Sequence, residues 1–359
     1  MKIARLSLLL VLGIAIIAPS LIPGQSHPLP SSSLAQDPSA NPKQAPPRQK
    51  PTADESADED RPQGKTSISV AVELVNLQVL VTDPKSNVIT GLQPDNFSIY
   101  EDNVKQEITN FAPIEADITV VMLVEFSRQI SGLIYEVLNA VYGFANSLRP
   151  GDWVAVIGYD IRPTILCDFT RNRNDLQDAL KRFNTPVFSE SNLSDALVDT
   201  LDRVEEIEGK VAVLLVSTGL DTFSRHTYQE ALEKCKRANA TVYPISVGQT
   251  ARIMADAAGA ISPLFNMELL MADNRLRSIA EYTGGEAFFP RFETELPSIF
   301  NNISTMLRNQ YSIAYMSSNT KRDGKYRKIH VEVSSSLTQN GKPVKLKALT
   351  RKGYQARAN

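Results

Sequence analysis

Residues 118–129 read ITVVMLVEFSRQ, an apolar run that stops abruptly at a carboxylate and closely spaced polar side chains. An unbroken apolar run of this length suits a strand buried on both faces of a parallel sheet. A helical pattern follows over 130–148, where Leu133, Val137, Val141, Phe144 and Leu148 recur at helical spacing. The cluster Glu125, Ser127, Arg128 and Gln129 is therefore expected on the turn at the carboxyl end of a central strand. Open α/β sheets form their ligand crevice there.

Working outward, strand and helix patterns alternate. Strands are expected at 153–159, 164–169, 211–217, 241–247 and 286–289, the second pairing with the first as an edge hairpin. Helices are expected at 174–183, 195–207, 228–238, 276–282 and 296–309. The stretch 249–274 is long for a strand-to-helix connection and has room for a local helix. Such alternation predicts a doubly wound, mostly parallel, Rossmann-like sheet with helices on both faces. Strand patterns also flank it, at 67–82 and 97–100 on one side and at 311–316, 326–333 and 344–350 on the other. Neither flank has enough strands for a secure core. They are expected to meet in one β-sandwich-like module, with the strand around Val70–Val81 touching the C-terminal strands.

The bulk numbers narrow the function classes. A chain of 359 residues with 42% hydrophobic content can bury a full α/β core and a smaller second module. A net charge of −2 gives no electrostatic reason for a nucleic-acid partner. The basic clusters near 321–328 and 342–352 fit solvated, edge-protecting roles. Two cysteines, Cys167 and Cys235, exclude a disulfide framework or a cysteine metal cage. They lie on elements two crossovers apart and are expected free. Lys2 and Arg5 precede an apolar run, 6–18, too short to span a bilayer comfortably. Export is the reading, to the periplasm or beyond the cell, with no stable membrane span after cleavage. An uncleaved anchor is the alternative. The domain boundaries expected are a leader at 1–26, a Pro/Ser-rich acidic tether at 27–66, an N-terminal β segment at 67–113, the α/β domain at 114–309 and a C-terminal β segment at 310–356.

The turn after residue 124 resembles the first ligand loop of a von Willebrand factor type A (VWA) domain, normally Asp-x-Ser-x-Ser and here Glu125-x-Ser127-x-Gln129. The segment 189–196 is similar to the family's second loop, with Ser191 at the position of the ligating threonine. Ser217-Thr218-Gly219 is similar to the third, Thr-Asp-Gly, with Thr218 in place of the acidic residue. The flanks resemble those of exported VWA proteins best known from acidobacteria: Val81–Asp83, Gly91–Phe97 and Tyr100–Gln106 before the domain, and Gln310–Tyr315, Gly324–Ile329 and Arg351–Tyr354 after it.

The resemblance implies a divalent-cation site, here degenerate, built from Glu125, Ser127, Gln129, Ser191 and Thr218. Hard cations need several oxygen ligands, and charged ones set the affinity. Glu125 is one methylene too long, Gln129 is bulkier than serine, and Thr218 removes a negative charge. The expectation is weak Mg²⁺ or Ca²⁺ binding or none, with a hydrogen-bonded loop cluster in its place. No other cofactor is expected. Arg128, Glu190, Asn192, Asp195 and Asp221 would complete a partner-binding loop face, although Asp195 and Asp221 also fit helix-start and turn roles.

Enzyme signatures are thin. The three histidines include His226, which follows Asp221 and Ser224, an order that turn and cap chemistry explains equally. There is no P-loop, His-Glu-x-x-His, Gly-x-Ser-x-Gly or dinucleotide fingerprint. The expected role is a non-enzymatic, adhesion-like module that binds a protein partner through the loop face. The rivals are an envelope structural or assembly factor working through its β module, and a hydrolase.

Overall fold

The apolar run folds as expected into a strand, Ile118–Glu125, every residue of which is buried. The structure is a computed structural model, and it describes residues 73–113, 116–181, 188–257, 262–334, 338–339 and 342–358. The expected leader, the tether and residues 67–72 lie outside the described residues.

In chain order the strands are β1 (Leu74–Thr82), β2 (Phe97–Glu101), β3 (Val104–Gln106), β4 (Ile108–Pro113), β5 (Ile118–Glu125), β6 (Trp153–Tyr159), β7 (Pro163–Thr170), β8 (Lys210–Ser217), β9 (Ala240–Ser246), β10 (Gln310–Met316), β11 (Tyr326–Val333), the small hairpin β12 (Thr338–Gln339) and β13 (Lys342–Pro343), β14 (Lys347–Leu349) and β15 (Gly353–Gln355). The helices are α1 (Ile134–Ser147), α2 (Arg173–Lys181), α3 (Leu193–Arg203), α4 (Tyr228–Arg237), α5 (Gly248–Ala257), α6 (Pro263–Thr283) and α7 (Leu296–Arg308).

A five-stranded sheet runs β7-β6-β5-β8-β9, parallel except for the edge strand β7. Alternation along β5 splits the core in two. Val120, Met122 and Val124 face α1, α2 and α7, while Val121 and Leu123 face α3, α4 and α6. The fold class is therefore α/β, a doubly wound and mostly parallel sheet. The chain passes from β5 to β6 on one side and returns to β8 on the other, so the crevice opens where β5 and β8 end.

Both flanks build one β module. β1 pairs with β10 and β14, and β2 pairs with β11, giving two antiparallel four-stranded sheets, β14-β1-β10-β4 and β15-β11-β2-β3. Leu77, Val79, Ile313 and Tyr315 of the first sheet share a core with Phe97, Ile99, Ile329 and Val331 of the second. The two ends of the described chain lie side by side, with Arg357 Nε 3.9 Å from Glu73 Oε1. The module attaches at the edge where the parallel strands begin. There the buried Asp152, just before β6, holds Arg308 at the end of α7 and accepts from Ile118 N (3.0 Å) and Arg149 N (2.6 Å).

Three expectations need correction. The helix placed at 276–282 is the last part of the 21-residue α6, which is capped by the Ser262 hydroxyl and stopped by Gly284 at φ 83°. The strand expected at 286–289 is reduced to one parallel bridge, Ile245 to Phe288, before Pro290. The strand expected at 344–350 shrinks to β14, and a further strand, β15, follows it. Cys167 and Cys235 are buried, on β7 and α4, and are not joined by a disulfide. Among the described residues no helix is long and apolar enough to cross a membrane.

Candidate functional site

The turns after β5 and β8 and the segment before α3 converge at the carboxyl edge of the sheet. Parallel pairing sets this geometry, because Val124 lies level with Val216 and the chain leaves both strands on the same side. Backbone bonds then tie the third segment in. Arg128 N donates to Phe188 O (2.7 Å), Asn192 N to Asp160 O (2.8 Å) and Thr222 N to Ser191 O (2.8 Å).

Glu125 is the hub. Its side chain is fully buried, and every bond it makes is to a donor on one of these turns. Oε1 accepts from Ser127 Oγ at 2.6 Å. Oε2 accepts from Thr218 N at 2.7 Å and Ser217 Oγ at 3.0 Å. The Thr218 hydroxyl is shared between Oε2 (2.9 Å) and Oε1 (3.1 Å). Ser217 Oγ in turn accepts from the Tyr159 hydroxyl (2.7 Å) and from Gly219 N (2.8 Å). Burial pushes the Tyr159 phenol well above its usual value, and the charge of Glu125 adds to the shift, so the phenol stays a donor. A chain of donors therefore runs from Tyr159 through Ser217 to Glu125. Such buried networks hold their members rigid when every group is paired.

The remaining expected residues divide into inward and outward groups. Asn192 is buried and binds Ile161 O and Phe223 N (2.9 and 3.1 Å). Asp195 is also buried. It accepts from His226 N (2.9 Å) and Arg225 N (3.1 Å), contacts His226 Nδ1 at 2.7 Å and pairs with Arg225 Nε at 3.3 Å. Burial opposes ionisation of Asp195, but these bonds win and bring its pKa down to about 2. Asp221 accepts from Ser194 N (3.0 Å) and its hydroxyl, capping α3. His226 is thus bonded to Asp195 and not to Asp221, and Ser224 Oγ accepts from Asp195 N (3.3 Å). Glu190 accepts from its neighbour Ser189 N (3.0 Å), and Arg128 is exposed.

The resemblance implies a cation, and the donors present do not fit one. The carboxylate at this site has both oxygens engaged by protein donors. Thr218 and Ser127 point their protons at it. The unengaged buried oxygens here are Ser191 Oγ and Gln129 Oε1, both neutral. A hard cation would have to displace the donors around Glu125.

Sequence reasoning placed Ser217 in the third loop without giving it a role, and missed Tyr159 and the aromatic rim. Ser217 closes the apolar run of β8, and Tyr159 ends the strand beside β5; strand register alone brings them to Glu125. The rim holds Phe223 (73% exposed), Phe188 (42% exposed) and Arg225, and a polar search does not single out the two aromatic residues.

No family model matches the chain, and no curated protein matches it. Similar solved structures include the vWF domain of the type V pili tip protein Mfa5 from Porphyromonas gingivalis, at 13% identity and a TM-score of 0.41, covering 54% of this chain and 96% of that one. An aerotolerance-related membrane protein from Bacteroides fragilis is similar at 11% identity and a TM-score of 0.40, covering 54% and 98%. Proximal thread matrix protein 1 from the mussel byssus is similar at 11% identity and a TM-score of 0.41, covering 55% of this chain. This chain spans about half the length of that mussel protein, 50% of which is covered.

Proposed function

We propose that the chain is a non-enzymatic, exported interaction module that holds a protein partner on its loop face by direct contacts, with no cation in the contact. The observation that carries this reading is the saturated Glu125 carboxylate beneath an exposed rim of Arg128, Phe188, Phe223 and Arg225. A cation-dependent face needs carboxylate oxygens free to ligate the ion that would bridge to the partner. A rigid floor under aromatic and arginine side chains suits hot-spot contacts instead. The basic, apolar N-terminal stretch supports export. The absence of a hydroxyl nucleophile bonded to His226 among the described residues supports a binding role over hydrolysis.

The test is co-purification of the native protein from its envelope fraction, followed by measured binding of whatever partner is identified. Replacing Arg128, Phe223 and Arg225 with alanine should weaken that binding by at least about tenfold, or 1.4 kcal/mol. A metal chelator should leave it unchanged. Full binding by the triple variant would move the contact to the β module, and chelator sensitivity would reinstate the cation.

A further inference from the structure

A cavity lies far from the loop face, where the β module meets the amino-terminal edge of the parallel sheet. It measures about 500 Å³. That is within the range of small-molecule sites. Its lining is unusually polar for a contact between two packed modules. On β1, Leu77 and Val79 point into the sandwich core, and the alternate residues Asn76 and Gln78 line the cavity. Across from them are Asn239 and Thr241, at the start of β9. The side chains of Gln78, Asn239 and Thr241 make no hydrogen bond among the described residues. Asn76 Oδ1 accepts from Ser312 Oγ at 3.0 Å, which leaves its amide NH₂ to donate.

Two cations complete the wall, Lys210 and Arg351, and no carboxylate among the described residues lines it. Arg351 Nε donates to Gly353 O (2.9 Å) and Nη2 to Lys236 O (3.2 Å), at the end of α4. A favourable interaction with the carboxyl end of that helix accounts for part of its position. It does not account for the rest. Nη1 has no hydrogen-bond partner, and no ion pair reaches the guanidinium among the described residues. Arg351 is partly buried, and that burial pulls it below its usual pKa. Lys210 is buried, with Nζ on Leu307 O. Lys210 has Asp152 nearby, so the charge without a carboxylate partner among the described residues is that of Arg351, and taking such a charge out of water favours an anion beside it.

We propose that this cavity binds a small hydroxylated carboxylate of the sugar-acid class, its carboxylate on Arg351 and its hydroxyls on Asn76, Gln78, Asn239 and Thr241. An inorganic anion would satisfy the cations and leave the amides unused. A neutral sugar would do the reverse. Guanidinium edges match carboxylates in geometry as well as charge.

Calorimetry on the full chain with galacturonate, galactose and inorganic phosphate tests this. Galacturonate is expected to bind at millimolar concentration or below, with galactose and phosphate each weaker by at least about tenfold. Arg351→Gln should lower galacturonate affinity at least about tenfold. Because Arg351 also supports α4, the surface variant Asn76→Ala/Gln78→Ala provides an independent arm, with an expected loss of about three- to tenfold. No galacturonate binding, phosphate binding of equal strength, or undiminished binding by the Asn76/Gln78 variant would overturn the proposal.

Discussion

A single methylene decides the chemistry of the loop face. Glu125 reaches its own neighbours, Ser127, Ser217 and Thr218, so hydroxyls that would offer lone pairs to a cation instead give protons to a carboxylate. Glu125→Gln places an NH₂ group against those donors and should cost about 1–3 kcal/mol, read from the urea midpoint. An unchanged midpoint would mean that the network contributes little. Calorimetry on the native chain should detect no Mg²⁺ or Ca²⁺ site tighter than about millimolar. A micromolar site abolished by Ser127→Ala would reverse the assignment. At this scale the sequence was readable where function followed from position in the chain. Glu125 ends a buried strand, and Ser127 and Thr218 follow buried strands closely. Asn192 and Asp195 were expected on a partner face, yet both turn inward, because the backbone of the 222–226 turn needs acceptors. Which neighbour meets an unpaired N–H is a tertiary matter that one strand's pattern does not encode.

The longest helix was the least legible element. On α6, the buried Leu269, Ala272, Leu276 and Ile279 form a regular stripe, but Leu264, Met267, Leu270 and Met271 add an exposed apolar row on other faces. Apolar residues all round erase the amphipathic signal on which sequence reading depends. β5 and β8 were plain for the opposite reason: buried on both faces, they need no alternation. Elements are also tied at their ends. Asp152 binds Arg308, fastening the start of β6 to the end of α7. Burial raises the pKa of Asp152, but the Arg308 bonds and two backbone donors outweigh it and leave it lowered. Asp152→Ala strands a mostly buried guanidinium and should cost about 3–5 kcal/mol in chemical denaturation. A loss below about 1 kcal/mol would class the pair with exposed, weak ion pairs.

At the scale of the whole molecule, the sequence pattern showed both flanks meeting in one module, and β1 against β10 bears that out. It did not show the polar seam left where that module meets the α/β domain. Lys210 lies in this seam, next to Arg308 and Asp152, and burial first, then Arg308, brings its pKa down to about 7. The unfolded lysine titrates near 10.4, so between about pH 7 and 10 the unfolded state holds more protons. Stability should therefore rise with pH across that window, and Lys210→Met should flatten the rise between pH 7 and 9. A native profile that falls there would contradict the assigned environment.

The module built from both chain ends also has a consequence in time. β1 ends at Thr82 and its partner β10 begins at Gln310. At ordinary rates of synthesis, roughly 10–50 s pass before the second strand exists. Through that wait Val75, Leu77, Val79 and Val81 have no sheet to join, which makes the nascent chain a client for holding factors and a hazard for self-association. Because Glu73 and Arg357 are neighbours, a short linker can join them in a chain trimmed of residues 1–72 and reopened between Pro113 and Ala116. In that permutant each module is contiguous. It should keep its urea midpoint to within about 1 kcal/mol and refold faster, because the long closure has been removed.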